Sequence, residues 1–356
     1  MEGRNFSFAV VNPGAERAAK AELARLVEAR RPRGVAADPP RPAYGRPGFV
    51  TWKGAVDDPS ALEAGLIFIR LYARSLGRLQ PDPAPLSLRL SPLLDGMSVD
   101  RLQVVARTED LAEVAERLLG AAEADPALAP RVAGRRALEP GETVIDLVVV
   151  GPDEVWVGTH VQTAAGVPFF GTRLELAPSD DAPSRAYGKL QEVLAWSGLE
   201  PRAGERAAEV GAAPGGAAWA LLERGLFVVG IDPADMDGRV LVHPRFTHVP
   251  RSINVLAADA LPRDLDWVLV DVNAPPKLAL RSIELLLERS RRTLRGVIAT
   301  LKLRDGRAED DVWRAAGELT KLGFPDVRMR QLAQHHREVA LVGRRHPGRD
   351  APALHT

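Results

Sequence analysis

There is no cysteine among the 356 residues. That excludes a disulfide framework, thiolate-bound zinc and a thiol nucleophile, and it fits a cytoplasmic location. There is no net charge either: 47 Lys and Arg balance 47 Asp and Glu. Nothing in the total announces a polyanion as partner, so any such partner must meet a local patch. No apolar run approaches the ~18 residues that a membrane span needs. Residues 1–9 mix charged and apolar side chains and lack the apolar stretch of a signal peptide. The expectation is a soluble chain without a membrane partner. No internal repeat is visible.

What is present is ordinary globular material, with 46% hydrophobic and 26% charged residues, enough apolar side chain for a core. The length exceeds the ~250–300 residues at which single cores stop growing, so two domains are expected. Residues 281–345 carry 15 Lys and Arg against 9 Asp and Glu. That excess fits a phosphate-facing surface, and equally the solvated faces of helices.

The first part of the chain reads as α+β. Strands are expected at 6–11, 49–52 and 66–72, helices at 13–26 and 110–122, and a hairpin at 144–158 around Gly151-Pro152. The Pro-, Gly- and Arg-rich stretch 31–48 and the proline-rich stretch 80–93 read as loops. From about Ser184 helices and strands alternate. Helices are expected at 184–196, 214–224, 276–294 and 309–322. Strands are expected at 206–210, 227–231, 254–257, 267–271, 297–302, 326–331 and 338–342. Such alternation implies a Rossmann-like, doubly wound, mostly parallel α/β sheet covered on both faces. The expected plan is an α+β region over 1–175, the doubly wound domain over 176–345 and a frayed tail over 346–356.

Between the strand at 206–210 and the following helix stands Glu209-x-Gly211-x-x-Pro214-Gly215-Gly216. Glycines let the chain turn sharply there and let backbone N–H groups approach a ligand. Pro214 separates the run from the G-x-G-x-x-G of dinucleotide enzymes. The pattern is that of an S-adenosylmethionine loop, in which the acid accepts from the ligand's amine. Asp232, at the end of the next strand, is placed to take both ribose hydroxyls. Asp259, after the strand expected at 254–257, is placed to meet the adenine edge. The competing readings are a tight turn with no ligand and a nucleotide loop, though the Lys-Ser/Thr pair of a phosphate loop is missing.

Four polar residues fall where the C-terminal edge of this sheet should lie: Lys189, Asp271, Lys302 and Glu338. A lysine closing an apolar strand is costly to bury without a partner. A ribose hydroxyl is a weak nucleophile until it loses its proton, and a lysine takes that proton only when neutral. Lowering a lysine from about 10.4 to about 7–8 requires about 4 kcal/mol, which a second ammonium and partial burial would supply. Lys189 beside Lys302 is expected to do this, with Asp271 and Glu338 orienting the two. The carboxylates push the other way.

At these residues the sequence resembles the FtsJ-like rRNA ribose 2′-O-methyltransferases, and within them the 23S rRNA ribose 2′-O-methyltransferase M family. The match runs through 182–190, 209–216, 301–303 and 330–339, and reaches back to 12–23, Gly158 and 167–173. The resemblance implies a class I S-adenosylmethionine methyltransferase fold with a Lys-Asp-Lys-Glu tetrad at Lys189, Asp271, Lys302 and Glu338. It implies donor contacts from Ser184, Glu209, Gly211, Pro214, Gly215, Gly216, Asp232, Asp259 and Asp271. It also implies a THUMP RNA-binding module within 1–175, and as substrate a cytidine of 23S rRNA, naked or in a ribosomal assembly intermediate. A monomer is expected. Glu209 stands where aspartate is usual, Ala217 where the family places an aromatic, and 272–276 lacks the family's charged run.

Two other classes of function compete. One is an RNA-binding protein that keeps the donor but not the activity, and the other is a small-molecule O-methyltransferase. DNA is no acceptor for this chemistry, because it lacks the 2′-oxygen. His335-His336 is read as a polar loop, since adjacent histidines seldom chelate one ion, and no metal is expected. Phe169 and Phe170 are read as a core or interdomain contact in preference to base stacking. The arginines of 30–46 are candidates for phosphate contact.

Overall fold

The computed structural model describes residues 6–30, 39–54, 56, 59–79, 84–132, 137–168, 182–303 and 308–345. Phe169, Phe170, the tail 346–356 and parts of the two expected loops, 31–38 and 80–83, lie outside the described residues. The chain divides into two compact units, Met1–Glu175 and Leu176–Thr356.

The first unit is built on a seven-stranded sheet. Its elements are β1 (Phe6–Val11), α1 (Glu16–Ala29), β2 (Arg41–Arg46), β3 (Phe49–Lys53), β4 (Ile69–Leu79), α2 (Leu86–Leu94), β5 (Arg101–Ala106), α3 (Ala112–Ala124), β6 (Thr143–Gly151) and β7 (Glu154–Val161). The strand order is β2-β3-β1-β4-β7-β6-β5, antiparallel except where β5 runs parallel to β6. Alternation along β6 serves two cores: Ile145, Leu147 and Val149 pack with Leu90, Leu102 and Leu119, while Val148 and Val150 pack with Phe8, Phe49 and Trp156. α1 docks through a buried acid, Glu22, whose carboxylate accepts from the backbone N–H groups of Ile67 at 2.6 Å, Phe68 at 3.1 Å and Ile69 at 3.2 Å. Two loop expectations are corrected. Residues 41–46 form β2, an edge strand with every residue exposed, where Pro42 is tolerated. Residues 86–94 form α2, which starts straight after Pro85 and buries Leu86 and Leu90.

The second unit holds α4 (Ala186–Ser197), β8 (Arg206–Val210), α5 (Gly216–Glu223), β9 (Phe227–Ile231), α6 (Gly238–Leu241), β10 (Phe246–Val249), β11 (Trp267–Val270), α7 (Pro276–Ser290), β12 (Gly296–Lys302), α8 (Ala308–Lys321), β13 (Asp326–Arg330) and β14 (Glu338–Arg344). Their order in the second seven-stranded sheet is β10-β9-β8-β11-β12-β14-β13. The strands from β10 to β12 are parallel, and β14 runs antiparallel to both of its neighbours. The chain winds outward from β8 in one direction and returns to wind the other way from β11. Strand order therefore reverses between β8 and β11, the crevice where open α/β sheets bind ligands.

One strand lies elsewhere than its sequence indicated. Residues 253–255 and 258–260 are short 3₁₀ turns, the first opened by Ser252, whose Oγ accepts from the Asn254 N–H at 3.4 Å. The strand beside β9 is Phe246–Val249. Among the described residues no helix is long and apolar enough to cross a membrane.

Candidate active site

β8 delivers Glu209 and then turns at Gly211, whose φ is +83°. A side chain at Gly211 would come within 2.4 Å of the Asp271 carbonyl oxygen, so the ends of β8 and β11 meet backbone to backbone. Only glycine permits that approach with this φ. Gly215 (φ +117°) and Gly216 complete the turn into α5. A side chain at Gly216 would lie 2.3 Å from Ser184 Oγ, which brings the residues ahead of α4 against the loop. The Pro214 carbonyl accepts from the Asp237 N–H at 2.9 Å.

Two acids line this loop. Glu209 is buried, and its Oε2 meets no hydrogen-bond donor among the described residues. Burial, and then the neighbouring charge of Asp271, hold its carboxyl well above the usual range. Asp232 follows β9 and accepts from two backbone amides, Ala213 N–H at 3.1 Å and Ala234 N–H at 2.8 Å. Asp259 sits in the exposed 3₁₀ turn, and no described hydrogen bond joins it to the loop. The strand that was to aim it does not form.

The four residues expected at the sheet edge form a closed ring. Lys189 on α4 donates to Glu338 Oε2 at 2.6 Å. Lys302, the last residue of β12, donates to Glu338 Oε1 at 2.6 Å and to Asp271 Oδ1 at 2.9 Å. Lys189 Nζ lies 3.9 Å from Asp271 Oδ2. The register of β12 on β14 sets Lys302 directly opposite Glu338. This pairing needs the reversed last strand, because β14 thereby brings its first residue to the edge where β12 brings its last.

The ring overturns one expectation about charge. Burial pulls Lys302 down, but the charge of Asp271 and the hydrogen bonds it donates to Glu338 and Asp271 outweigh it, and its pKa is raised. Burial pushes Glu338 up, yet hydrogen bonds from Lys189 and Lys302 hold it below the usual range. Two carboxylates within hydrogen-bond reach outweigh burial, so the resting ring keeps Lys302 protonated.

Two nearby residues carried no role in the sequence. His335 lies in the loop before β14, as expected, but is buried, and burial followed by the charge of Lys189 lowers its pKa to about 4. Glu192 on α4 is buried as well and accepts from the backbone of the segment before β14. His335 lies within the matched stretch 330–339 but was given no role there, and Glu192 lies outside every matched stretch, where a charged residue three positions after Lys189 on a helix reads as a solvated face. Among the described residues no cluster of three or more His, Asp or Glu could hold a metal ion.

No family model matches the chain. Curated relatives do. The "Ribosomal RNA large subunit methyltransferase M" of Cellvibrio japonicus (strain Ueda107) is 29% identical over 297 residues, 77% of this chain and 80% of that one. The chain is a homologue of this methyltransferase M. Proteins of the same name from Halorhodospira halophila and Xylella fastidiosa (strain 9a5c) match shorter stretches. The first is 30% identical over 57% of this chain and 55% of its own length, the second 36% over 32% and 31%. Among solved structures, magnesium protoporphyrin IX methyltransferase from Synechocystis PCC 6803 with bound S-adenosylmethionine is 20% identical. It overlaps 44% of this chain and 78% of its own with a TM-score of 0.33, too loosely to bear on the site.

Proposed function

We infer that this chain is an S-adenosylmethionine-dependent rRNA methyltransferase that methylates a ribose 2′-hydroxyl, that of a cytidine in 23S rRNA. The observation that carries the reading is the closed ring of Lys189, Glu338, Lys302 and Asp271 beside the glycine loop. The choice of large-subunit RNA is supported by the names of the homologues.

The loop fits a donor bearing an ammonium group and a ribose. A buried acid with an unmet oxygen is costly unless a ligand satisfies it, and Glu209 Oε2 is such an atom. We assign the donor's ammonium to Glu209. Its ribose hydroxyls go to Asp232, which keeps lone pairs beyond its two backbone contacts. Ser184, Gly211, Pro214, Gly215, Gly216 and the Asp271 backbone wall the loop, and Asp259 is left for the adenine edge. S-adenosylmethionine supplies, when bound, a methyl group activated by a cationic sulfur.

Lys302 touches both carboxylates and is the group we assign to take the ribose hydroxyl's proton. It must first shed its own. Asp271 and Glu338 orient its nitrogen, and Lys189 neutralises the other oxygen of Glu338. Part of 1–175 serves as the THUMP-like RNA-binding region, and the protein works as a cytoplasmic monomer on rRNA or an assembly intermediate. An inactive donor-binding protein would not be expected to keep all four ring members paired. A small-molecule enzyme gives no reason for the separate first unit.

The test is transfer of labelled methyl from the donor to unmodified rRNA, beside a DNA control and Lys302→Ala, followed by mapping of the label. The expected result is a methyl on a ribose 2′-oxygen of 23S rRNA, absent with DNA and lost in Lys302→Ala while the donor still binds. Donor binding without transfer to any RNA would remove the rRNA assignment.

A further inference from the structure

α4 carries Lys189 and, three residues later, Glu192. Residues at that spacing are neighbours on one side of a helix. Glu192 is only 3% exposed. A buried carboxylate must be compensated by hydrogen bonds, and here two backbone amides do so. The Ala333 N–H donates to Oε1 at 2.8 Å and the Gln334 N–H donates to Oε2 at 3.0 Å. Both amides belong to the segment 331–337, which joins β13 to β14 and ends immediately before Glu338. The same segment is held on its far side, where the Leu303 N–H, one residue past Lys302, donates to the Arg337 carbonyl at 2.9 Å. Gly188, next to Lys189, lies so close that a side chain there would come within 2.4 Å of Gln334 Oε1. One carboxylate thus ties the helix bearing Lys189 to the segment that delivers Glu338.

We propose that Glu192 is a positioning residue, whose grip on the Ala333 and Gln334 amides sets the Lys189–Glu338 contact and, through Glu338, the Lys302 contact. The proposal rests on the reading of the ring as the methyl-transfer site. A carboxylate suits the task because it offers an acceptor oxygen to each of two adjacent N–H groups. Glutamine has the same shape but turns one oxygen into a donor that faces another donor. The segment then loses one anchor, and a displacement of ~1 Å in a reacting group can cost ~10²-fold in rate.

The experiment is Glu192→Gln in the full chain, with kcat, KM for RNA, donor Kd and Tm measured against the parent. The lysine ¹³Cε signals are also titrated by NMR without donor or RNA. Expected are a fall in kcat of about 10- to 100-fold, KM and donor Kd close to those of the parent, and a lysine titration moved to lower pH as Glu338 draws away. In a Glu338→Gln background the further change Glu192→Gln should cost nothing more in kcat, because nothing is left to aim. An unchanged kcat with an unchanged lysine titration overturns the proposal, and so do losses that multiply in the double variant. If the parent itself moves no methyl to ribose, the proposed function fails. The lysine titration then decides the role of Glu192 alone.

Discussion

Two cations and two anions share hydrogen bonds of 2.6–2.9 Å at the edge of the second sheet, and the anions win. Lys302 is consequently held in the form that cannot accept a proton. If it is the base, the rate should climb with pH along an alkaline limb, since the neutral fraction grows as pH approaches the raised pKa. Glu338→Gln removes one of the two carboxylates that raise it. That limb should move to lower pH, while the maximal rate falls because the lysine nitrogens lose their shared anchor. A limb that stays in place in a pH–rate profile of this variant would mean that another group is being titrated. The identities of the four ring residues were legible in the sequence, because a lysine closing an apolar strand and an acid opening another are poor choices for a core. Their charge state was not. It depends on distances that four segments set only after they meet, and the same holds for Glu192 and His335, whose burial is decided by what packs over them.

Among the elements, the turn from β8 into α5 is the least tolerant of change. Gly211 combines φ +83° with a side-chain position 2.4 Å from the Asp271 carbonyl oxygen. Gly211→Ala meets both strain and collision, and backbone misfits of this kind cost on the order of 1–3 kcal/mol. The strain falls in the loop we assign to the donor, so isothermal titration should show donor affinity falling by at least about tenfold. Retained affinity with an unchanged Tm would show that the loop opens without cost. Strands with apolar runs, such as β9, β11 and β12, were plain from the sequence. β10 was hidden because it is a four-residue edge strand with two polar members, Thr247 and His248, and no fully buried residue. β5 was hidden by Arg101 and Gln103, which are buried but partnered: Gln103 Nε2 donates to Asp146 Oδ1 at 2.6 Å. Proline content misled at α2, because a proline just before a helix marks its start as readily as it marks a loop.

At the scale of the molecule, half-buried His160 in the first unit and buried His335 in the second respond to acid with opposite signs. In the first unit, burial lowers His160 but the charge of Asp146 and a hydrogen bond of 2.8 Å to it prevail, so its pKa is raised. Its contribution to stability is complete below the unfolded value of about 6.5 and disappears as pH rises through the folded value. In the second unit, His335 is lowered to about 4. Between about 6.5 and 4 the unfolded chain takes up a proton that the folded unit refuses, so stability is lost as pH falls, by up to about 3 kcal/mol. Hydrogen-exchange protection at pH 7.5 and pH 5 should therefore change in opposite directions for the core amides of β6 and β14. A common direction in both units would show that other groups dominate the response.

The reversed strand β14 also bears on when the protein becomes competent. Among the described residues β13 pairs with β14 alone, and β14 pairs with β12, so the two form a hairpin joined to the rest of the sheet through β12. Synthesis delivers the chain from its N-terminal side, and a domain generally folds as a unit. The glycine loop, Lys189, Asp271 and Lys302 all precede that hairpin, while Glu338 arrives with it. A growing chain thus holds three of the four ring residues before the fourth has been made, and the ring closes only when the final hairpin docks on β12.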